Sequence, residues 1–158
     1  MSLDPDRLDW LRRNSRVTLD REGRFYFQGA LVEHPRVQRL FHRGLRPAEG
    51  GAIVLQVGEQ WCYLESVEDT AWFVEKAAVA GDRVLLTLAD GSTEALDPAT
   101  LSRRDDRIYC VLSHGRRARF LRAALLTLAP WIDEDAAGEQ EAGYGLRLPG
   151  GFHRVRAE

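Results

Sequence analysis

The stretch that decides the fold is VTLDREGRFYFQGALVEHPRVQRLFHRGL, residues 17–45. It predicts a strand, a tight turn at Arg21-Glu22-Gly23, a second strand and a short helix. Gly23 can take the positive φ that a compact hairpin needs. The run Phe25-Tyr26-Phe27 has strong strand propensity, and Pro35 suits the first position of a helix. The stretch therefore predicts a hairpin followed by a helix, which is an α+β arrangement.

The predicted helix, residues 35–46, is amphipathic. Its apolar face is predicted to hold Val37, Leu40, Phe41 and Leu45. Its basic face is predicted to hold four arginines: Arg36, Arg39, Arg43 and Arg46. We expect the apolar face to pack on the preceding hairpin.

Composition bounds the class of protein. The chain has 158 residues, of which 44% are hydrophobic and 29% charged, so it suits one domain or two small subdomains. The net charge of −2 gives no global attraction to nucleic acid or to an anionic membrane. Lys76 is the only lysine among 22 basic residues. A GC-rich genome is one explanation for this bias, and bidentate recognition of phosphate or carboxylate is the other.

Cysteine usage and hydropathy point to a reducing compartment. Cys62 and Cys110 lie far apart in apolar runs, where a free cysteine behaves as a small buried hydrophobe. No metal site and no disulfide framework is expected from them. No stretch approaches the ~20 apolar residues that span a bilayer, and the N-terminus lacks the apolar core of a signal peptide. We expect a cytoplasmic protein with no membrane association.

The rest of the chain continues the β-rich pattern. Strands are predicted over residues 53–57, 61–66, 72–80, 83–88, 93–96 and 107–112, with turns at Gly58, Gly81-Asp82 and Asp90-Gly91. Residues 4–14 predict a short helix capped by Asp4-Pro5. Residues 116–132 give the longest helical pattern, followed by an exposed loop over 133–142 and a closing hairpin over 144–155.

These elements predict an α+β fold of two small β-rich subdomains, residues 1–66 and 67–158, each with an amphipathic helix. The segments VTLDREGRFYF and LTLADGSTEAL both read as strand, charged glycine turn and strand. This similarity between the two segments is explained either by duplication of a small α+β unit or by two unrelated hairpins. The sequence favours the hairpins.

Several segments together resemble a known family. The segments are LDREGRFYFQG, HPRVQRLFHRGL and VEDTAWFV. The chain resembles the bacterial family called domain of unknown function 1285 (DUF1285) over nearly its whole length. The matching positions are Arg21, Gly23, Phe25, Tyr26, Gly29, Arg36, Leu40, Phe41, Val67, Glu68, Asp69 and Phe73.

The resemblance implies two related α+β subdomains, of which the second is similar to a pleckstrin-homology-like barrel capped by a helix. It also implies a binding site at the junction of the halves and a non-enzymatic role in regulation or signal transduction. We expect a protein partner or a small ligand to bind there. The candidate ligand-binding residues are Arg21, Tyr26, Arg36, Asp69 and Trp72.

A basic cluster offers an alternative. Residues 103–122 hold seven arginines against two aspartates, a local balance of +5. Three of these arginines, Arg116, Arg117 and Arg119, lie at the N-terminus of the predicted helix, and Arg122 is the fourth candidate contact. A helix N-terminus favours anions, so this cluster predicts phosphate or nucleic-acid binding. The opposing interpretation is that the acidic stretch from Asp133 to Glu141 neutralises the cluster within the fold or in a homodimer.

Catalytic signatures are missing from the sequence. It has no GxSxG elbow, HExxH motif, Walker loop or GxGxxG. The histidines are scattered, and no catalytic residue or cofactor is predicted. A small hydrolase or other enzyme is the third hypothesis, but we expect a non-catalytic binding module.

Overall fold

A computed structural model describes residues 4–135 and 143–158 of the chain. The fold is α+β, as the sequence predicted, and it divides into two compact units. The first unit comprises Met1–Ala71 and Ala89–Gly91, and the second comprises Trp72–Leu88 and Ser92–Glu158. The boundary expected after residue 66 falls within the first unit.

The first unit begins with the helix Pro5–Arg13 (α1), which is capped as predicted. The Asp4 side chain accepts a hydrogen bond from the Asp6 amide, and Pro5 occupies the first turn. The last turn of α1 carries two arginines that stack on aromatic rings of one strand. The Arg12 guanidinium lies 3.9 Å from the Trp61 ring centroid, and that of Arg13 lies 4.8 Å from the Tyr63 centroid.

Two small sheets and one more helix complete the first unit. The strands are Val17–Leu19 (β1), Phe25–Phe27 (β2), Ala30–Leu31 (β3), Leu45–Pro47 (β4), Ile53–Val57 (β5), Gln60–Tyr63 (β6) and Ser66–Val67 (β7). One sheet has the order β3-β2-β1-β7, and the other has the order β4-β5-β6. Strand β7 runs parallel to β1, whereas the remaining neighbours are antiparallel.

The helix Pro35–Gly44 (α2) ends two residues before the predicted end, because Leu45 is already extended and starts β4. Gly44 is required at this end, since a Cβ there would collide with the Gln56 carbonyl of β5. Phe41 packs edge-on against the buried Phe25 with ring centroids 5.4 Å apart. The predicted apolar face is wrong at Leu40, which is 44% exposed.

The second unit is built on a seven-stranded sheet. Its strands are Trp72–Ala80 (β8), Arg83–Leu88 (β9), Thr93–Ala95 (β10), Ser102–Arg104 (β11), Arg107–Val111 (β12), Arg117–Phe120 (β13) and, after the smaller sheet described below, Arg156–Ala157 at the C-terminal end. The order is β10-β9-β8-β13-β12-β11 and then the C-terminal strand. Within the described ranges the two edge strands pair with no other strand, so the sheet is open rather than closed into a barrel.

A helix and a smaller sheet finish the second unit. The helix is Arg122–Leu128 (α3), and the sheet comprises Ile132–Asp135 (β14), Gly143–Leu148 (β15) and Gly151–Arg154 (β16). The C-terminal strand, Arg156–Ala157, is β17 and runs parallel to β11. The main buried cluster of the unit is largely aliphatic and includes Leu86, Leu88 and Leu128, together with Phe120 and Cys110. Phe73 and Tyr109 are also buried in this unit. The predicted closing hairpin is confirmed as β15 and β16.

Two predictions in this unit are wrong. The predicted helix over residues 116–132 begins as strand β13, and only Arg122–Leu128 is α-helical. The reason is that Ala118 and Phe120 alternate with arginines and are buried between β12 and β8. The predicted loop over 133–142 starts inside β14, and residues 136–142 lie outside the described ranges.

Candidate functional site

The first hairpin closes around Asp20, which directly follows β1. The Asp20 amide donates to the Arg24 carbonyl at 3.0 Å, and the Gly23 amide donates to the Asp20 carbonyl at 3.2 Å. Gly23 has φ 79°, so the three-residue loop uses glycine at its left-handed position. The turn predicted at Arg21-Glu22-Gly23 is confirmed.

The Asp20 carboxylate is the centre of the hairpin's polar network. Its Oδ1 accepts from the Glu22 and Arg24 amides, both at 2.9 Å. Its Oδ2 accepts from Arg24 Nε at 2.9 Å and from the Tyr26 hydroxyl at 3.0 Å. The residue is only 7% exposed. Four donors therefore fix one buried carboxylate, and the carboxylate in turn fixes the side chains of Arg24 and Tyr26.

This network shifts the ionisation of both partners. Burial on its own would raise the pKa of Asp20, but the hydrogen bonds from Arg24, Tyr26 and the Glu22 amide outweigh it and hold that pKa below its ordinary value. The pKa of Tyr26 is raised, because its hydroxyl donates to the Asp20 carboxylate. Asp20 is thus ionised and Tyr26 is protonated at neutral pH.

An open cleft of about 560 Å³ lies beside this network. Thr18 and Tyr26, which are partners in the β1–β2 register, line it from one face of the sheet. Leu19 and Phe25 point to the opposite, buried face. The remaining lining residues are Asp20, Arg21, Glu22, Arg24, Gly29 and Glu68. Polar groups therefore dominate the cleft, and the whole of it belongs to the first unit.

Three of the residues that line the cleft have side-chain donors or acceptors that make no hydrogen bond within the described ranges. Arg24 uses Nε for Asp20, and its two Nη atoms make no hydrogen bond to any residue the structure describes. Glu68 accepts through Oε2 from the Arg21 amide and Nε, at 3.2 and 3.1 Å, and its Oε1 makes no hydrogen bond within the described ranges. The Thr18 hydroxyl also makes no hydrogen bond to any residue the structure describes. These donors and acceptors belong to residues that line the cleft.

Helix α2 supports the hairpin through two polar side chains that the sequence analysis did not single out. Gln38 Oε1 accepts from the Phe25 amide at 2.9 Å, and Gln38 Nε2 donates to the Phe25 and Val32 carbonyls at 3.0 and 2.8 Å. His42 Nε2 lies 2.8 Å from the Gly23 carbonyl oxygen. A carbonyl can only accept, so Nε2 carries the proton. The helix thereby fixes both strand β2 and the turn.

The five predicted ligand-binding residues lie on several different elements. Arg21 and Tyr26 line the cleft. Arg36 is exposed in the first turn of α2, and Asp69 is half-buried after β7. Trp72 starts β8 in the second unit, with the Arg116 guanidinium 5.7 Å from its ring centroid.

Two central residues of the cleft, Asp20 and Arg24, were missed by the sequence analysis. The signal for Asp20 was available, since an aspartate just before a glycine-containing turn often accepts backbone amides. Arg24 gave no comparable signal, because its role depends on where the hairpin places it. Position relative to the turn, rather than residue type, is what identifies both.

The basic cluster is not arranged as predicted. Arg117 and Arg119 lie on strand β13 and Arg116 directly precedes it, so the first three arginines are not at a helix N-terminus. Arg116 donates to Glu94 Oε2 at 3.0 Å, and Arg117 donates to both carboxylate oxygens of Glu158 at 2.8 and 2.7 Å. Arg122 is exposed in α3. Glu94 and Glu158 therefore neutralise Arg116 and Arg117, whereas Asp133 pairs with Arg147.

The cysteines lack the features of nucleophiles. Burial raises the pKa of the Cys62 thiol, and it raises that of Cys110 to about 12. Among residues 4–135 and 143–158, no group of three or more His, Cys, Asp or Glu side chains is placed to hold a metal ion. No helix in the same ranges is long and apolar enough to cross a membrane.

Comparison with known proteins identifies the fold. A DUF1285 family protein from Silicibacter pomeroyi has a TM-score of 0.66 at 18% identity, over 89% of this chain and 79% of that one. A DUF1285 family protein from Shewanella baltica has a TM-score of 0.57 at 16% identity, over 73% of this chain and 91% of that one. The sequence matches no family model and no curated protein. The resemblance seen in the sequence is thus confirmed at the level of the fold.

Proposed function

We propose that this chain is a non-catalytic cytoplasmic binding module with a regulatory role, and that it binds a small polar ligand in the cleft of the first unit. One observation carries the proposal. The buried Asp20 carboxylate fixes Arg24 and Tyr26 at the cleft wall, while the Nη atoms of Arg24 stay available for a ligand. Such preorganisation lowers the entropy lost on binding. A volume of about 560 Å³ is within the range of small-molecule sites.

The ionisation states favour binding over catalysis. A carboxylate that acts as a general base must accept a proton near neutral pH. The pKa of Asp20 is lowered instead, and its carboxylate already accepts hydrogen bonds from four donors. Tyr26 has a raised pKa, and burial also raises the pKa of both cysteine thiols. The cleft holds groups that orient a ligand, and we assign none of them a chemical step.

Nucleic-acid binding through residues 103–122 is the weaker alternative. Arg116 and Arg117 are already bound to the carboxylates of Glu94 and Glu158. A phosphate would have to displace these partners, so the free energy gained per contact would be small. We therefore place the function in the cleft.

A thermal-shift screen tests the proposal. The panel comprises amino acids, dicarboxylates, sugar phosphates, nucleotides and polyamines, each added to the wild-type protein, to Arg24→Ala and to Arg83→Ala. Arg83 is an exposed arginine at the start of β9 in the second unit and serves as the matched control. A ligand at about 100 times its Kd stabilises the folded protein by about 2.7 kcal/mol.

We expect at least one compound to raise the Tm of the wild type and of Arg83→Ala equally, and to leave that of Arg24→Ala unchanged. Each variant is compared with itself without ligand, so a change in basal stability does not affect the result. The proposal fails if no compound raises the Tm, or if the shift survives in Arg24→Ala.

A further inference from the structure

The donors and acceptors of the cleft that make no hydrogen bond favour a ligand that carries one positive and one negative charge. Arg24 is held by its Nε, and its Nη1–Nη2 edge makes no hydrogen bond to any residue the structure describes. This edge is flat, carries parallel N–H donors and suits the two oxygens of a carboxylate. The side chain of Arg24 is 55% exposed, so a ligand can reach it without rearrangement of the hairpin.

Glu68 supplies the complementary acceptor. Its Oε2 is occupied by the Arg21 amide and Nε, while Oε1 accepts nothing from the residues the structure describes. The Arg21–Glu68 pair fixes the position of this carboxylate, whose side chain remains 48% exposed. An ammonium group is a compact donor with three N–H bonds, and it fits a single free carboxylate oxygen.

The net charge of the cleft argues against a purely anionic ligand. Two arginines, Arg21 and Arg24, share the lining with three carboxylates, those of Asp20, Glu22 and Glu68. A phosphate dianion would meet more negative than positive charge. A molecule with no net charge, which offers one charged group to Arg24 and the other to Glu68, suits this lining better.

The cleft also has room for a side chain. A Cβ added at Gly29, on the cleft lining, would meet no atom within 4 Å. The Thr18 hydroxyl is available to donate to a second carboxylate oxygen. A volume of about 560 Å³ exceeds what the charged groups of one amino acid require, so the site tolerates different side chains.

From these groups we infer that the ligand is an α-amino-acid zwitterion, whose carboxylate binds the Nη edge of Arg24 and whose ammonium group binds Glu68 Oε1. This inference rests on the proposed function and names the ligand class of the same cleft. Each of the two charged groups of the ligand then meets a side chain of opposite charge.

Calorimetric titration of the full chain with single amino acids tests the inference. Each amino acid is compared with its N-acetyl derivative, which lacks the ammonium, and with its carboxamide, which lacks the carboxylate. We expect at least one amino acid to bind, and each blocked derivative to bind at least about tenfold more weakly, because one charge-assisted hydrogen bond is lost. This comparison needs no variant protein.

Variants then locate the contacts. Arg24→Lys keeps the charge but loses the planar edge, and Glu68→Gln keeps an acceptor but loses the charge. We expect each to raise the Kd at least about tenfold. Glu59→Gln, at an exposed glutamate in the turn before β6, is the control and should leave the Kd unchanged.

The results separate this inference from the proposed function. If no amino acid binds, or if the blocked derivatives bind equally well, the zwitterion is excluded. If another compound class then gives a thermal shift that Arg24→Ala abolishes, the proposed function stands. If no compound of any class does so, both are rejected.

Discussion

Asp20 brings four hydrogen-bond donors together in the first hairpin, and its ionisation links the stability of that hairpin to pH. The folded pKa of Asp20 is lower than its ordinary value of 3.8. The unfolded chain therefore binds this proton first as the pH falls. The stabilisation is fully present above the unfolded pKa and is lost as the pH falls through the folded pKa.

The change Asp20→Asn tests this link. We expect the variant to be less stable than the wild type at pH 7. The difference should narrow as the pH falls below about 4, because the unfolded wild-type chain then takes up the proton, and it should narrow further until the pH passes the lower pKa of the folded carboxylate. Urea unfolding at pH 7, 5, 4 and 3 measures it. Asp106→Asn is the control, since Asp106 is exposed and makes no hydrogen bond through its side chain within the described ranges. A difference for Asp20→Asn that is constant with pH would contradict the account.

Gln38 is the second residue on which the hairpin depends. We expect Gln38→Leu to lower the free energy of unfolding by about 2 kcal/mol, because the Phe25 amide loses its acceptor next to the core. Chemical denaturation measures the loss. Gln60→Leu, at an exposed position in β6, should change stability by less than about 0.5 kcal/mol. Equal losses in the two variants would show that the Gln38 contacts contribute nothing.

Sequence reasoning succeeded where a residue acts through its own backbone. Gly23 in the turn, and Asp4 and Pro5 at the start of α1, were predicted because a positive φ or a cap is a local requirement. Gln38 and Arg24 were not predicted. Gln38 reaches a strand 13 residues earlier, and the importance of Arg24 depends on a cleft that exists only after folding. The local sequence therefore predicts the turn, but not the contacts that distant residues make with it.

At the scale of elements, strand β13 is the main departure from the sequence analysis. Leucines after residue 120 suggested that one helix covers the segment from residue 116. The preceding Arg-Ala-Arg-Phe instead alternates, with Ala118 and Phe120 buried in a central strand. A short alternating run next to a helical pattern is hard to separate from it by periodicity.

Phe120→Ala tests the position of this strand. We expect it to lower the free energy of unfolding by about 3–5 kcal/mol, because Phe120 is 1% exposed and its loss leaves a cavity. Leu126→Ala, on the exposed side of α3 at 64% exposure, should cost less than about 0.5 kcal/mol. Thermal and chemical unfolding measure both variants. A larger loss for Leu126→Ala would contradict the assigned burial.

The pairing of strands that are distant in the chain was also not predicted from the sequence. The hairpins β8–β9 and β15–β16 were predicted, since their turns carry glycine at the right spacing. The parallel pairs β1–β7, β8–β13 and β11–β17 were not predicted. No turn specifies a parallel pair, because the strands are joined by a long connection. These pairs include the one that places Glu68 next to the first hairpin.

At the scale of the whole molecule, the distribution of charge predicts weak attraction to nucleic acid. The net charge is −2, and Arg116 and Arg117 are paired with carboxylates. We expect no rise in the anisotropy of labelled DNA or RNA up to about 100 µM protein at about 50 mM salt, where phosphate attraction is strong. Micromolar binding would contradict this expectation if it weakens steeply with salt and is reduced by Arg122→Ala. Such a result would favour nucleic-acid binding by the basic cluster.

The most direct test of the central claim is to map the ligand on the folded chain by the backbone amide shifts of the ¹⁵N-labelled protein. The compound used is the one that gives the largest thermal shift in the screen, titrated into the wild type. The account predicts that the largest changes fall on Thr18, Arg21, Arg24, Gly29 and Glu68, which line the cleft. Changes concentrated in the second unit, or spread evenly over both units, would contradict it.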